Sequence, residues 1–221
     1  MCDGIVGGPY GTLICPECEK RLRRVREPAC KKCGKPLEAA ETEYCADCGK
    51  KSHVYTRGMA ALEYGGLMKA SIGRFKYHNR REYADFYARE LFRLCSDAVR
   101  AWEPDALIPI PLHRSRLRKR GFNQADLIAR KLGKLLDIPV RSGYLVRTKK
   151  TRPQKELNDT QRRANLKNAF QVGENDVKLK KALLIDDIYT TGSTLDAAAA
   201  VLLEHGVEKV YFLTVCIGRG F

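Results

Sequence analysis

Two stretches of this 221-residue chain carry residue types whose spacing could do chemistry. The first is LLIDDIYTTGSTL at 183–195. Apolar residues run into Asp186 and Asp187, and Thr190, Thr191, Gly192, Ser193 and Thr194 follow before apolar residues resume. Adjacent carboxylates repel, so something must offset them. At a strand end they can accept hydrogen bonds from sugar hydroxyls or from a metal-bound water. Hydroxyls beside the free N–H groups of a helix start suit a phosphate, and Gly192 permits close backbone approach. An ordinary strand-to-helix turn with a Thr or Ser cap explains one hydroxyl and one acid, but not the pair. The stretch offers acceptors for a sugar and donors for a phosphate about one sugar apart.

The second stretch is the cysteine-rich N-terminus. Six of the nine cysteines form three CxxC pairs: Cys15/Cys18, Cys30/Cys33 and Cys45/Cys48. Without a secretory context this spacing argues for thiolate–metal coordination and against disulfides. Cys30-x2-Cys33-x11-Cys45-x2-Cys48 supplies four soft ligands in two knuckles, which selects a closed, structural zinc site. Gly34 and Gly49 can form the knuckle turns. An iron–sulfur cluster fits the same count. Cys2, Cys15 and Cys18 remain for a second zinc with an open or borrowed fourth position. His53 could complete a site but reads as a surface residue. Cys95, in a helix, and Cys216, in a strand, read as small core residues. Lys31, Lys32, Lys35, Lys50 and Lys51 flank the knuckles, which read as a folding clip on the main body before a nucleic-acid contact.

The elements that must position these residues alternate in type. Residues 54–76 read as a strand, a Gly-Gly turn and a short helix. Residues 80–101 place Tyr83, Phe86, Tyr87, Leu91, Leu94 and Val99 at near-helical spacing, and Pro104 ends that helix. Residues 106–112 read as a short buried strand, 113–121 as a basic loop, 122–136 as a helix and 139–147 as a strand. Residues 148–166 have no apolar period and read as a long loop, a length that is functional or mobile in compact domains. Strands at 169–172 and 181–187, a helix at 193–205 and a strand at 207–217 complete the chain. Alternation with continuously apolar strands predicts an α/β fold with a mainly parallel sheet covered by helices on both faces. Ligands in such sheets bind at the carboxyl ends of the strands. The expected division is a Cys-rich module over 1–53 and one α/β body over 54–221.

Composition narrows the class. The chain is 44% hydrophobic and 30% charged, which is globular. No apolar run approaches the ~20 residues a membrane span needs, and MCDGIVGGPYG lacks the parts of a signal peptide, so a cytoplasmic protein without membrane insertion is expected. Net charge is +15, and residues 111–167 hold 17 Lys/Arg against 4 Asp/Glu. So local an excess attracts polyanions, either nucleic acid or a phosphorylated small molecule.

The motif D-D-x-x-T-T-G-x-T-L at 186–195 resembles the phosphoribosyl pyrophosphate (PRPP) motif of type I phosphoribosyltransferases. PIPLHRSRLRKRGFNQA at 109–125, RTKKTRPQKELNDTQRRANLKNAF at 147–170, RFKY at 74–77 and the CxxC-bearing N-terminus together resemble the ComF (competence protein F) family of that superfamily, over nearly the whole chain. The resemblance implies catalytic acids Asp186 and Asp187 on the ribose hydroxyls, and Thr190, Thr191, Gly192, Ser193 and Thr194 on the 5′-phosphate. Pro111, His113 and Arg114 would face the pyrophosphate. Arg152, Lys155, Arg162 and Arg163 would lie on a loop that closes over the reacting centre, with Mg²⁺ bound alongside PRPP. It further implies a zinc ribbon, with Cys2 the second cysteine of a pair whose first lies upstream of Met1, so that the chain starts late.

Two functions of different class follow. One is transfer of phosphoribosyl to an acceptor the sequence does not name. The other is a non-catalytic single-stranded DNA-binding factor in DNA uptake, acting with other competence proteins. The basic run at 114–120 serves either. Phe75, Tyr77 and Phe122 could stack on bases but read as core residues. His113 reads as a weak acid–base candidate or as a backbone hydrogen-bonder.

Overall fold

The computed structural model describes residues 13–148, 169–173 and 177–218. Cys2 and the loop candidates Arg152, Lys155, Arg162 and Arg163 lie outside the described residues.

Four strands form one sheet in the order β1-β6-β5-β2, with every neighbouring pair parallel. They are β1 (Arg57–Glu63), β2 (Ala106–Pro109), β5 (Lys181–Tyr189) and β6 (Lys209–Ile217). β5 and β6 are almost wholly buried because helices cover both faces, as their unbroken apolar sequences require. Strands β3 (Leu145–Arg147) and β4 (Phe170–Val172) form a separate antiparallel pair. Both edges of the main sheet are shielded. Arg24 bridges Leu62 outside β1, and Val140 bridges Leu107 outside β2.

On one face lie α3 (Gly66–Tyr77), α4 (Tyr83–Trp102) and α6 (Gln124–Leu136). The α4 stripe Tyr87, Leu91, Cys95 and Val99 is fully or almost fully buried, and its Phe86 lies beside it. The helix stops at Glu103, in left-handed backbone before Pro104. The other face carries α7 (Ser193–Glu204) and the cysteine knuckles, which share one apolar cluster through Cys30, Cys33, Cys45, Leu195, Ala198 and Leu202. Two short helices, α1 (Pro16–Arg21) and α2 (Ala46–Lys50), each start directly after a cysteine.

Two segments differ from expectation. Residues 113–121, read as a loop, contain helix α5 (Arg114–Arg120). His113 Nδ1 caps it by accepting from the Ser115 N–H at 3.2 Å, and Gly121 closes it at φ +80°. Arg, Lys and Leu are good helix formers, so two caps suffice where no apolar face exists. Residues 139–147 are not one strand. Val140 makes a single bridge, a turn at Ser142–Gly143 intervenes, and pairing resumes at Leu145.

Candidate functional site

β5 runs two residues past the expected Asp187, to Tyr189. Successive strand residues face opposite sides. Leu183 and Ile185 pack with α4 and α6, whereas Leu184 packs with α7 and the knuckles. The same alternation separates the two aspartates. Asp186 faces an open cleft, lined with it by Thr190, Thr191, Gly192, Ser193 and Thr194. Asp187 turns to the other face, is 4% exposed, and places Oδ1 2.8 Å from Lys76 Nζ. The repulsion expected of the pair is offset in two ways, by this divergence and by a lysine.

Burial, and then the charge of Asp187, raises the Asp186 carboxyl to about 7. Its Oδ1 accepts from the Asp187 N–H at 2.8 Å. Lys76 sits above the ordinary lysine value: burial opposes its charge, but Asp187 outweighs burial. Arg147 of β3 acts on Asp186 electrostatically. Burial, and then Arg116, brings its guanidinium down to about 10. An acid near its own ionisation point, between two cations, is poised to accept hydrogen bonds from a polar ligand.

The hydroxyl loop is built for backbone approach. Gly192 caps α7 at φ +76° without a side-chain cap, so the first N–H groups of the helix, at residues that line the cleft, have no capping side chain. A Cβ there would lie 2.7 Å from the Tyr189 hydroxyl, so only glycine fits. Thr191 Oγ1 and Ser193 Oγ are 3.0 Å apart. Pro109 pairs with Ile185, so Pro111 and His113 leave the sheet beside Asp186, with Arg114 exposed at the start of α5. His113 Nδ1 is committed to its cap and accepts from the Ser115 hydroxyl at 2.8 Å, which favours the backbone role over acid–base work.

The thiol groups of Cys30, Cys33, Cys45 and Cys48 lie within 4.8 Å of one another. The Cys33 and Cys45 sulfurs are 3.7 Å apart. A zinc tetrahedron with bonds of about 2.3 Å has edges of about 3.8 Å, so the donors fit that ion. Cys15 is half-buried and Cys18 buried, and the second trio lies partly outside the described residues because it includes Cys2.

Several lysines and rings sit otherwise than expected. Lys35 is buried in an ion pair with Asp47, Lys31 pairs with Glu43, and Lys32 lies 5.4 Å over the Tyr55 ring. The buried Lys35 pair and the Lys32 ring contact fit a folding clip, whereas the Lys31–Glu43 pair is exposed. His53 is no surface residue: its side chain is wholly buried and bonded to Asp196. Phe75 and Phe122 are core residues, whereas Tyr77 is 69% exposed beneath Arg120.

Sequence reasoning assigned no site role to Lys76 or Arg147, read Lys51 only as a flank of the knuckles and read His53 as surface. Lys76 had a visible signal, because it continues the i, i+4 row of buried Met68 and Ile72, where an apolar residue belongs. The other three had none, because long-range packing alone places them.

Comparison with known proteins agrees with this architecture. The phosphoribosyl transferase domain family matches residues 85–220, and the double zinc ribbon domain family matches residues 1–49. The chain is similar to Competence protein F of Haemophilus influenzae, at 40% identity over 144 residues. That match spans 63% of each chain, less than two thirds of the relative's length. It is similar to DNA utilization protein YhgH of Escherichia coli O157:H7, at 33% identity over 165 residues, 73% of this chain and 72% of that one. A solved purine phosphoribosyltransferase from Pyrococcus horikoshii covers 60% of this chain and 73% of its own, with 17% identity and a TM-score of 0.38, too distant to bear on the site.

Proposed function

The chain belongs to the phosphoribosyl transferase domain family, in its competence protein F group, and on that premise we propose that it binds PRPP and transfers its phosphoribosyl group to an acceptor. One observation carries the reading: Asp186 and the Thr190–Thr194 loop line a single cleft at the carboxyl end of β5. In this reading residues 1–53 form the zinc module and 54–221 the transferase-like body, in a cytoplasmic protein. Among the described residues no helix is long and apolar enough to cross a membrane.

Each residue then has a role. Asp186 accepts from ribose hydroxyls. Asp187, held by Lys76, fixes the strand end and keeps negative charge below it. The N–H groups and hydroxyls of Thr190–Thr194 hold the 5′-phosphate. Pro111–Arg114 and the basic α5 face the pyrophosphate. The acceptor's lone pair forms a bond to the anomeric carbon as the carbon–oxygen bond to pyrophosphate breaks, and pyrophosphate leaves with that electron pair. Mg²⁺, when bound with PRPP, would neutralise the leaving group, and Asp186 is the cleft carboxylate that would accept from a metal-bound water. Positive charge developing on the ribose is met by Asp186, and Arg147, which senses both Arg116 and Asp186, is a cation available to the leaving group.

The loop assignment has a direct test. Gly192→Ala should abolish binding of both PRPP and ribose 5-phosphate in calorimetric titration while zinc content is retained. Equal affinity of the variant and wild type would refute it.

One observation favours a second reading, single-stranded DNA binding in DNA uptake. The Arg120 guanidinium lies 5.4 Å over the exposed Tyr77 ring, beside exposed Leu117, Arg118 and Lys119. A cationic surface with an aromatic platform is what a sequence-tolerant strand binder needs. Both readings draw on α5, and they are not exclusive.

A further inference from the structure

The back wall of the hydroxyl loop comes from neither β5 nor α7. Residues 51–55 leave the second knuckle after Cys48 and cross the first turn of α7. The His53 ring stacks on Tyr55, with centroids 4.8 Å apart and planes at 18°. Its Nδ1–H donates to Asp196 Oδ2 at 2.7 Å. The Val54 N–H donates to Asp196 Oδ1 at 3.2 Å. Lys51 Nζ donates to the Thr191 carbonyl at 3.4 Å and stands 3.8 Å from Asp196. The Tyr55 and Tyr189 hydroxyls are 2.8 Å apart. The segment is pinned at its far end too, where the Gly58 N–H donates to the Lys32 carbonyl at 2.9 Å and a Cβ on Gly34 would lie 2.9 Å from Met59 Cα.

A clip that only covered apolar surface would not need this wiring. Burying an imidazole with a carboxylate requires desolvating both, and His53 Nε2 has no partner among the described residues, which adds a desolvation penalty. The position of Asp196 explains the arrangement. An acid in the first turn of a helix suits the helix dipole, but it repels an anion bound at the same end. Here its oxygens take an imidazole N–H, a main-chain N–H and a nearby ammonium. Its charge is directed inward and the loop N–H groups are left for the ligand. Lys51 also takes up the Thr191 carbonyl, an acceptor that would otherwise repel a phosphate.

We infer that Lys51 and His53 are positioning residues of the phosphate loop, through which the cysteine-rich module sets the loop's geometry and its affinity for anions. This rests on the phosphate role proposed for that loop. It extends the module's part beyond folding: it becomes one wall of the ligand site.

The test uses the full zinc-loaded chain and the variants His53→Ala, His53→Asn and Lys51→Met. Asparagine places an amide N–H where Nδ1–H stands. Three quantities are read: zinc per chain, amide hydrogen exchange over 190–196 without ligand, and PRPP affinity with Mg²⁺. In His53→Ala, zinc should be retained, exchange should accelerate at least tenfold and affinity should fall at least tenfold. His53→Asn should restore most of both. Lys51→Met, at a partly exposed position, should lower affinity several-fold without changing the melting temperature, and it decides the matter if His53→Ala does not fold. Unchanged exchange and affinity in the alanine variant, or unchanged affinity in Lys51→Met, would overturn the inference. If wild type binds no PRPP, the phosphoribosyl reading fails, and exchange alone then decides whether His53 holds the loop.

Discussion

Lys76 Nζ lies 2.8 Å from Asp187 Oδ1, joining the last turn of α3 to the acidic end of β5, and both side chains are largely buried. Asp187 Oδ2 has no other partner among the described residues. The lysine is therefore the main compensation for a charge placed under the proposed ribose site.

Removing that lysine should be costly. Lys76→Met leaves a buried carboxylate uncompensated, and loss of one member of a buried pair costs about 3–5 kcal/mol. Urea denaturation at neutral pH should show this loss, and Lys76→Met/Asp187→Leu should recover much of it. A single variant as stable as wild type would show that Asp187 is not held by Lys76.

Asp186 should destabilise the fold in a pH-dependent manner. Its carboxyl rises from 3.8 to about 7 in the folded chain, so the fold disfavours the ionised form. The unfolded chain ionises it near pH 4. Folding stability therefore falls as pH rises from about 4 to about 7 and stays lowered above that. Asp186→Asn should melt higher than wild type at pH 8 and equally at pH 4. No difference at pH 8 would contradict the assigned environment.

Metal removal should act through the knuckles. Cys45→Ser should lose one zinc per chain by elemental analysis and lower the melting temperature, because Cys45 joins the apolar cluster that α7 also uses. Full zinc content in that variant would remove Cys45 from the ligand set.

The basic surface has a separate signature. If single strands track α5, Arg118→Ala/Lys119→Ala should reduce the salt slope of binding by about 1.4, or about 0.7 for each phosphate no longer neutralised. Tyr77→Ala should weaken binding by about 1–3 kcal/mol if a base stacks there. Unaltered slope and affinity would exclude this surface.

Much of the fold was legible because its signals are local. Continuous apolar runs marked β5 and β6, and the α4 stripe and Pro104 marked that helix and its end. Helix α5 was missed because caps, and no apolar face, define it. The acid pair and the hydroxyl residues were visible as types, but not their divergence. That depended on β5 continuing to Tyr189, and so on pairing with β6 at Ile188 and Tyr189. His53 was misread because a lone histidine after a lysine-rich turn resembles surface, and only its packing on Tyr55 and Asp196, 143 residues away, buries it.

The central claim is that Asp186 and the hydroxyl loop together hold a phosphoribosyl group. The most direct measurement is calorimetric titration of zinc-loaded wild type and Asp186→Asn with PRPP and Mg²⁺. Hydrogen bonds to a charged acceptor contribute about 1.5–3 kcal/mol, so the variant should bind about ten- to a hundredfold more weakly while remaining folded. Equal affinity in the two proteins, or no binding by folded wild type, would contradict the account.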